Sequence, residues 1–191
     1  MGLAQWYSVT PNAGLTLGFA AGGGRSVEVE YNYVHYLHGS IEERKFYWPV
    51  DRKFYKSPDA KADMVMHNFM VNFNFPYNDI FLGGKKFSTY FSVGSGFYAY
   101  FHHVSGLTYP GQSKEPIDLS FHLPATKDDQ VAMGLNLGAG TEITLTSRIH
   151  LDLRLRYNLI LGSMRPFEDW GIKEVFPVQM LDFRFGLKYL L

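Results

Sequence analysis

The chain has 191 residues, with Lys plus Arg and Asp plus Glu balanced at 18 each, so no net charge draws it to nucleic acid or to an acidic partner. It contains no cysteine, which excludes disulfides and thiolate metal sites. Aromatic residues reach 17% and glycine counts 19, yet no apolar run approaches the length of a transmembrane helix.

Met1 to Thr10 lacks the basic and apolar regions of a signal peptide, so an exported protein would stand here in mature or trimmed form. Leu3–Val9 reads as a weak strand ending at the Thr10-Pro11-Asn12 turn signal. Ala13–Ala20 sets Leu15, Leu17 and Phe19 against Gly14, Thr16 and Gly18, before a Gly22-Gly23-Gly24 turn. Val27–Leu37 is the clearest strand, with Val27, Val29, Tyr31, Tyr33, His35 and Leu37 opposite Glu28, Glu30, Asn32, Val34 and Tyr36. His38–Ala62 reads as a long polar loop. Met64–Phe75 alternates Phe69, Val71 and Phe73 with Met70, Asn72 and Asn74, and Pro76–Lys86 reads as a turn region.

Phe87–His103 places Phe91, Val93 and Phe97 against Ser92, Gly94 and Gly96, and a second long loop, Val104–Gln130, follows. Val131–Leu145 and Ile149–Leu161 form a hairpin about Thr146-Ser147. Leu135, Leu137, Leu153 and Leu155 lie on one face of it; Gly138, Gly140, Glu142, Asp152, Arg154 and Arg156 lie on the other. After a third long loop, Gly162–Pro177, the stretch Val178–Leu191 alternates Leu181, Phe183, Phe185 and Leu187 with Asp182, Arg184, Gly186 and Lys188.

Short and long connections alternate, and helical periodicity is absent. The predicted fold is all-β: one domain over 1–191, an antiparallel transmembrane β-barrel of eight strands, seven strong and one weak or missing at the N-terminus. FSTYFSVGSGFYAY, LNLGAGTEITLTSRIHLDLRLRYNL and VEVEYNYVHYL resemble strands of the OmpA-type small outer-membrane barrel family, and the closing strand resembles that family's last one, with Leu191 where Phe is usual. The resemblance covers most of Gly14–Leu191. It implies a bacterial (Gram-negative) outer membrane, short periplasmic turns, long extracellular loops at the cell surface, and contact with lipopolysaccharide.

Basic side chains facing lipid at mid-depth cost roughly 2–4 kcal/mol each. The charged faces are therefore expected in the lumen, and Leu17, Val29, Phe69, Phe97, Leu137, Leu153 and Phe185 toward lipid. Glycines on the charged face fit the crowded interior of a small barrel. The lumen is expected to hold Glu28, Glu30, Glu142, Asp152 and Asp182 with Arg154, Arg156, Arg184 and Lys188, paired into a plug, Glu142 with Arg154 or Arg156.

Glu28 and Glu30 also have the form of an acid/base pair, but partners of the lumen arginines is the preferred reading. His102 and His103 point to opposite faces, and His35 and His67 fall on the outer rim, so no metal or other cofactor is expected. Lipid-modifying barrels of the deacylase type resemble a late strand with His-x-Ser; IHLDLRLRYN has none, and no base is readable beside Ser88, Ser92, Ser95 or Ser105. The reading is a non-enzymatic structural or interaction barrel. It would bind a protein, glycan or lipopolysaccharide through its loops, chiefly through Arg44, Lys45, Trp48, Arg52 and Lys53. A porin-like small-solute channel resembling OmpW, and a lipid A-modifying enzyme, are the alternatives.

Overall fold

The computed structural model describes residues 10, 12–164, 170 and 174–189. Nine strands occur among them: β1 Asn12–Gly22, β2 Arg25–Tyr36, β3 Lys45–Trp48, β4 Lys53–Lys56, β5 Lys61–Leu82, β6 Lys85–Ser105, β7 Thr126–Thr144, β8 Ile149–Ile160 and β9 Val178–Tyr189. Seven build one antiparallel sheet in the order β1-β2-β5-β6-β7-β8-β9, and β3 and β4 form a separate hairpin. The predicted Leu3–Val9 strand lies outside the described residues, as do Leu190 and Leu191.

Two expectations about the connections need correction. The segment 76–86 is not a turn region: β5 runs to Leu82 and closes on Lys85 through Gly83 and Gly84, both at positive φ, as a two-residue hairpin turn demands. A bulge between Pro76 and Asn78 absorbs the proline. Pro76 is tolerated because β2 last pairs with β5 at Asn74, so no ladder needs its missing N–H on that side. The segment 38–62 is not an irregular loop either. It holds a 3-10 turn, Ser40–Glu43, and the β3–β4 hairpin.

The sheet coils strongly. Laid flat, five strand spacings would part β2 from β9 by about 24 Å. Instead Lys188 Nζ lies 2.8 Å from Glu28 Oε1, and Arg154 Nη2 on β8 lies 2.7 Å from Glu28 Oε2. One face is thereby enclosed. The other carries Leu17 (68% exposed), Val29, Phe69, Phe97, Leu137 and Phe185, all exposed, while Leu153 is half-buried. Among the described residues no backbone ladder joins β1 to β9, so the sheet remains open there. Side chains reach across that side: Asn12 Nδ2 donates to Asp182 Oδ1 at 3.0 Å, and Arg184 Nη1 to Thr16 Oγ1 at 3.2 Å.

Where the long loops emerge, the enclosed face becomes apolar. Val34, Tyr36, Met64, Met66, Tyr98 and Tyr100 from the strands pack with Ile41, Phe46, Trp48, Leu107, Met164, Trp170 and Val175 from the connections. The loops thus fold down into the sheet and cap it. Trp48 Nε1 donates to Gln112 O (2.8 Å) and Trp170 Nε1 to Thr108 O (3.2 Å), so both indoles keep a partner while buried.

Candidate functional site: the enclosed ionic network and the capping hairpin

Strand register decides where the enclosed charges can go. Arg154 stands opposite Gly140 on β7, and Arg156 opposite Gly138. With no side chain beside them there, the two guanidinium groups extend across the interior to β2. Arg154 reaches Glu28, Asp152 (3.2 Å) and Glu30 (3.7 Å); Arg156 reaches Glu30 (2.8 Å) and Asp182 (2.6 Å). Arg184 on β9 meets the same Glu30 oxygen at 2.7 Å. Lys188 joins Glu28, Glu142 (2.6 Å) and Asp152 (3.6 Å). All nine sequence-read charges fall into one connected network.

One pairing differs from expectation. Glu142 is bound by Lys188 rather than by Arg154 or Arg156, because the register sets it opposite Asp152 while both arginines turn away toward β2. Glu28 and Glu30 are both held by cations. Ions buried this deeply persist only with opposite charge and hydrogen bonds supplied together.

Several members carry no charge and escaped the sequence reading. Tyr90 donates to Asp152 Oδ1 (2.5 Å), accepts from Arg154 Nε (2.8 Å) and lies with its ring centroid 5.2 Å from the Arg154 Cζ. Asn32 donates to Glu30 Oε1 (2.5 Å) and accepts from Arg184; Asn72 donates to Glu30 Oε2 (3.2 Å). Strand parity was the available signal, since Tyr90 shares a face with Ser92 and Gly94, and Asn32 with Glu28 and Glu30. A Cβ on Gly140 would run into the Tyr90 hydroxyl, so that glycine is what lets Tyr90 reach the network.

Beside the network lies a cavity of about 1870 Å³ between β1 and β9. Glu28, Asp152, Asp182, Arg184 and Lys188 line its ionic part, Leu15, Phe19, Phe183 and Phe185 its outer lip, and Val34, Tyr36 and Met180 its end beneath the cap.

The loop residues divide by strand parity. Phe46 and Trp48 of β3 point into the cap, and Trp48 is 1% exposed, which removes it from any contact surface. Tyr47 and Phe54 face outward with ring centroids 5.3 Å apart. Lys45 and Lys56 are exposed on the same hairpin, and Arg44, Arg52 and Lys53 are exposed around it. The β3–β4 turn is tied by Asp51, which accepts from the Tyr55 hydroxyl and from the Lys53 N–H (3.0 Å). Desolvation pushes the Asp51 carboxyl up, but these hydrogen bonds and the Lys53 charge outweigh it and hold the group below its ordinary value. The same bond raises the Tyr55 hydroxyl.

Among the described residues no group of three or more His, Asp or Glu side chains is placed to hold a metal ion. No protein-family model, curated protein or solved structure matches this chain.

Proposed function

We propose that this chain is a bacterial outer-membrane β-barrel of the OmpA type, plugged by its ionic network, whose extracellular cap binds polyanionic glycan, lipopolysaccharide included. The observation that carries the reading is the inversion of polarity. The enclosed face holds the nine charged side chains of the network while the exposed face is an apolar band rich in Leu, Val and Phe. In water such a band is a large aggregation-prone surface; in hydrocarbon it is the favoured one. The open side fits the same reading. The first and last of seven antiparallel strands run in the same direction, so one strand antiparallel to both would complete an eight-stranded barrel.

The binding role rests on the β3–β4 hairpin. Its inward row anchors it in the cap, and its outward row presents two rings flanked by Lys45, Lys56 and Arg52. Rings stack on sugar faces and cations meet phosphate or carboxylate groups. The cavity favours a second reading, a small-solute conduit, against which stand the connected ion pairs and the apolar cap.

Cysteine scanning with a lipid-restricted label tests the wall: label at Leu17, Phe97 and Leu137 is expected, and label at Glu30, Arg154 and Arg184 instead would overturn it. Titration with lipopolysaccharide tests the hairpin. Tyr47→Ala with Phe54→Ala should weaken binding while leaving the cap folded; undiminished binding would remove the hairpin from the site. A large steady conductance in planar bilayers would put the conduit first.

A further inference from the structure

Five of the six described methionines lie on the enclosed side: Met64, Met66, Met70, Met164 and Met180, with only Met133 exposed. Two of them, members of the apolar cluster, also stand beside a buried histidine. Met64 and Met66 are two apart on β5 and share its inner face, 1% and 0% exposed. Directly across from Met64 on β6 stands His102, 3% exposed. Opposed residues of an antiparallel pair hold their Cβ atoms about 5 Å apart, and residues two apart on one strand sit about 7 Å apart. Register therefore sets two flexible thioethers and one imidazole on one buried patch of the inner face.

We propose that Met64, Met66 and His102 form a binding site for a soft monovalent cation, Cu(I) or its analogue Ag(I). Thioether sulfur is polarisable and selects soft ions, and imidazole is a good third donor for copper. Ca²⁺ and Mg²⁺ demand sets of oxygen ligands, which this frame does not offer. The surroundings suit a single positive charge. Asp128 lies opposite His102 on β7, 2% exposed, accepts from Gln130 Nε2 at 2.8 Å, and supplies one compensating negative charge. The large cavity ends one strand away. Tyr36 and Val34, at the inner end of the large cavity, are the β2 neighbours of Met64 and Met66. Met180 lines that cavity and accepts from the Tyr36 hydroxyl at 3.2 Å, a further thioether at that end. The site depends on neither the membrane reading nor the glycan reading.

The full chain, folded in detergent, is titrated with Ag(I), and separately with Cu(I) against a chromophoric chelator. One equivalent is expected to bind, with the ε-methyl NMR signals of Met64 and Met66 shifting and that of exposed Met133 unmoved. No binding, or shifts confined to Met133, overturns the site. Met64→Leu with Met66→Leu conserves volume, and should cost more than the roughly 10- to 100-fold in affinity that losing a mere supporting group costs. Unchanged affinity in that variant overturns it too. Should the variant not fold, copper K-edge absorption on the wild-type chain decides: two sulfurs and one nitrogen support the assignment, and a shell of nitrogen and oxygen alone refutes it.

Discussion

The enclosed space has two ends built by opposite rules on the same strands. Along the inner face of β2 the residues run Glu28, Glu30, Asn32, Val34, Tyr36, all buried; along β8 they run Asp152, Arg154, Arg156, Asn158, Ile160. At one end order comes from directional ion pairs, at the other from close packing of side chains brought in by loops. The contrast teaches that strand alternation fixes only which side chains are enclosed. What they become depends on what else arrives: Arg154 and Arg156 need acids delivered by β2, while Met64 and Met66 need Trp48, Leu107 and Trp170 delivered by connections.

The hardest blow to the contrast is Glu30→Ala. Glu30 is fully buried and faces Arg154, Arg156 and Arg184. Removing it strands cations in a low-dielectric interior, expected to cost about 3–5 kcal/mol. Urea unfolding in detergent should show the loss at the ionic end and in the global midpoint alike.

Ile41→Ala at the other end removes a 1% exposed side chain from the cap and should cost about 2–5 kcal/mol. The two variants differ in kind as well as in size. The cap variant should speed hydrogen exchange around 38–60 with the sheet ladders protected, whereas Glu30→Ala should loosen β2, β8 and β9. Equal loosening of both ends by both variants would merge the two regions into one.

Gly140→Ala is smaller. The new methyl meets Tyr90 and the Leu153 carbonyl, and overpacking of this type costs about 1–3 kcal/mol. Coupling to Tyr90→Phe in a double-mutant cycle would show that the cost runs through the Tyr90 hydroxyl; full additivity would place it elsewhere.

The smallest effect is one of pH. Because the Asp51 carboxyl is held below its ordinary value, its hold on the hairpin turn is complete above the unfolded value near about 4 and fades as pH falls through the folded one. Protection of the Lys53 N–H, measured against its intrinsic exchange rate at each pH, should fall on acidification below that point. Asp51→Asn should flatten this response and leave the ionic end untouched.

The sheet was the most legible part of the molecule. Period-2 alternation identified seven long strands and sorted Glu28, Arg154 and Arg184 from Leu17, Phe97 and Phe185 without reference to partners. Strand ends were less legible, since Pro76 looks like a stop until one knows that the β2 ladder on β5 ends at Asn74. The network's membership followed from parity, but its pairing did not. Glu142 and Lys188 are 46 positions apart, and their 2.6 Å contact arises because β7 and β9 flank β8 with both side chains on its inner face. The cap was nearly invisible. Ile41, Leu107, Met164 and Val175 carry no periodic signal, and Trp48 reads as a contact residue until β3 is known to alternate.

The glycines of β6 and β7 have a consequence for how this chain can drift in sequence. On their inner faces Gly94, Gly96, Gly134, Gly138 and Gly140 stand where an added methyl would strike an amide, a ring or a backbone carbonyl. Where the outer faces of the same two strands meet lipid, as proposed, they need only remain apolar, and many exchanges among Val, Leu, Ile, Met and Phe satisfy that. One pair of strands therefore holds two clocks. Their even-numbered positions are nearly frozen, their odd-numbered ones free to wander, and a set of related chains would show the wall's handedness in its variation alone.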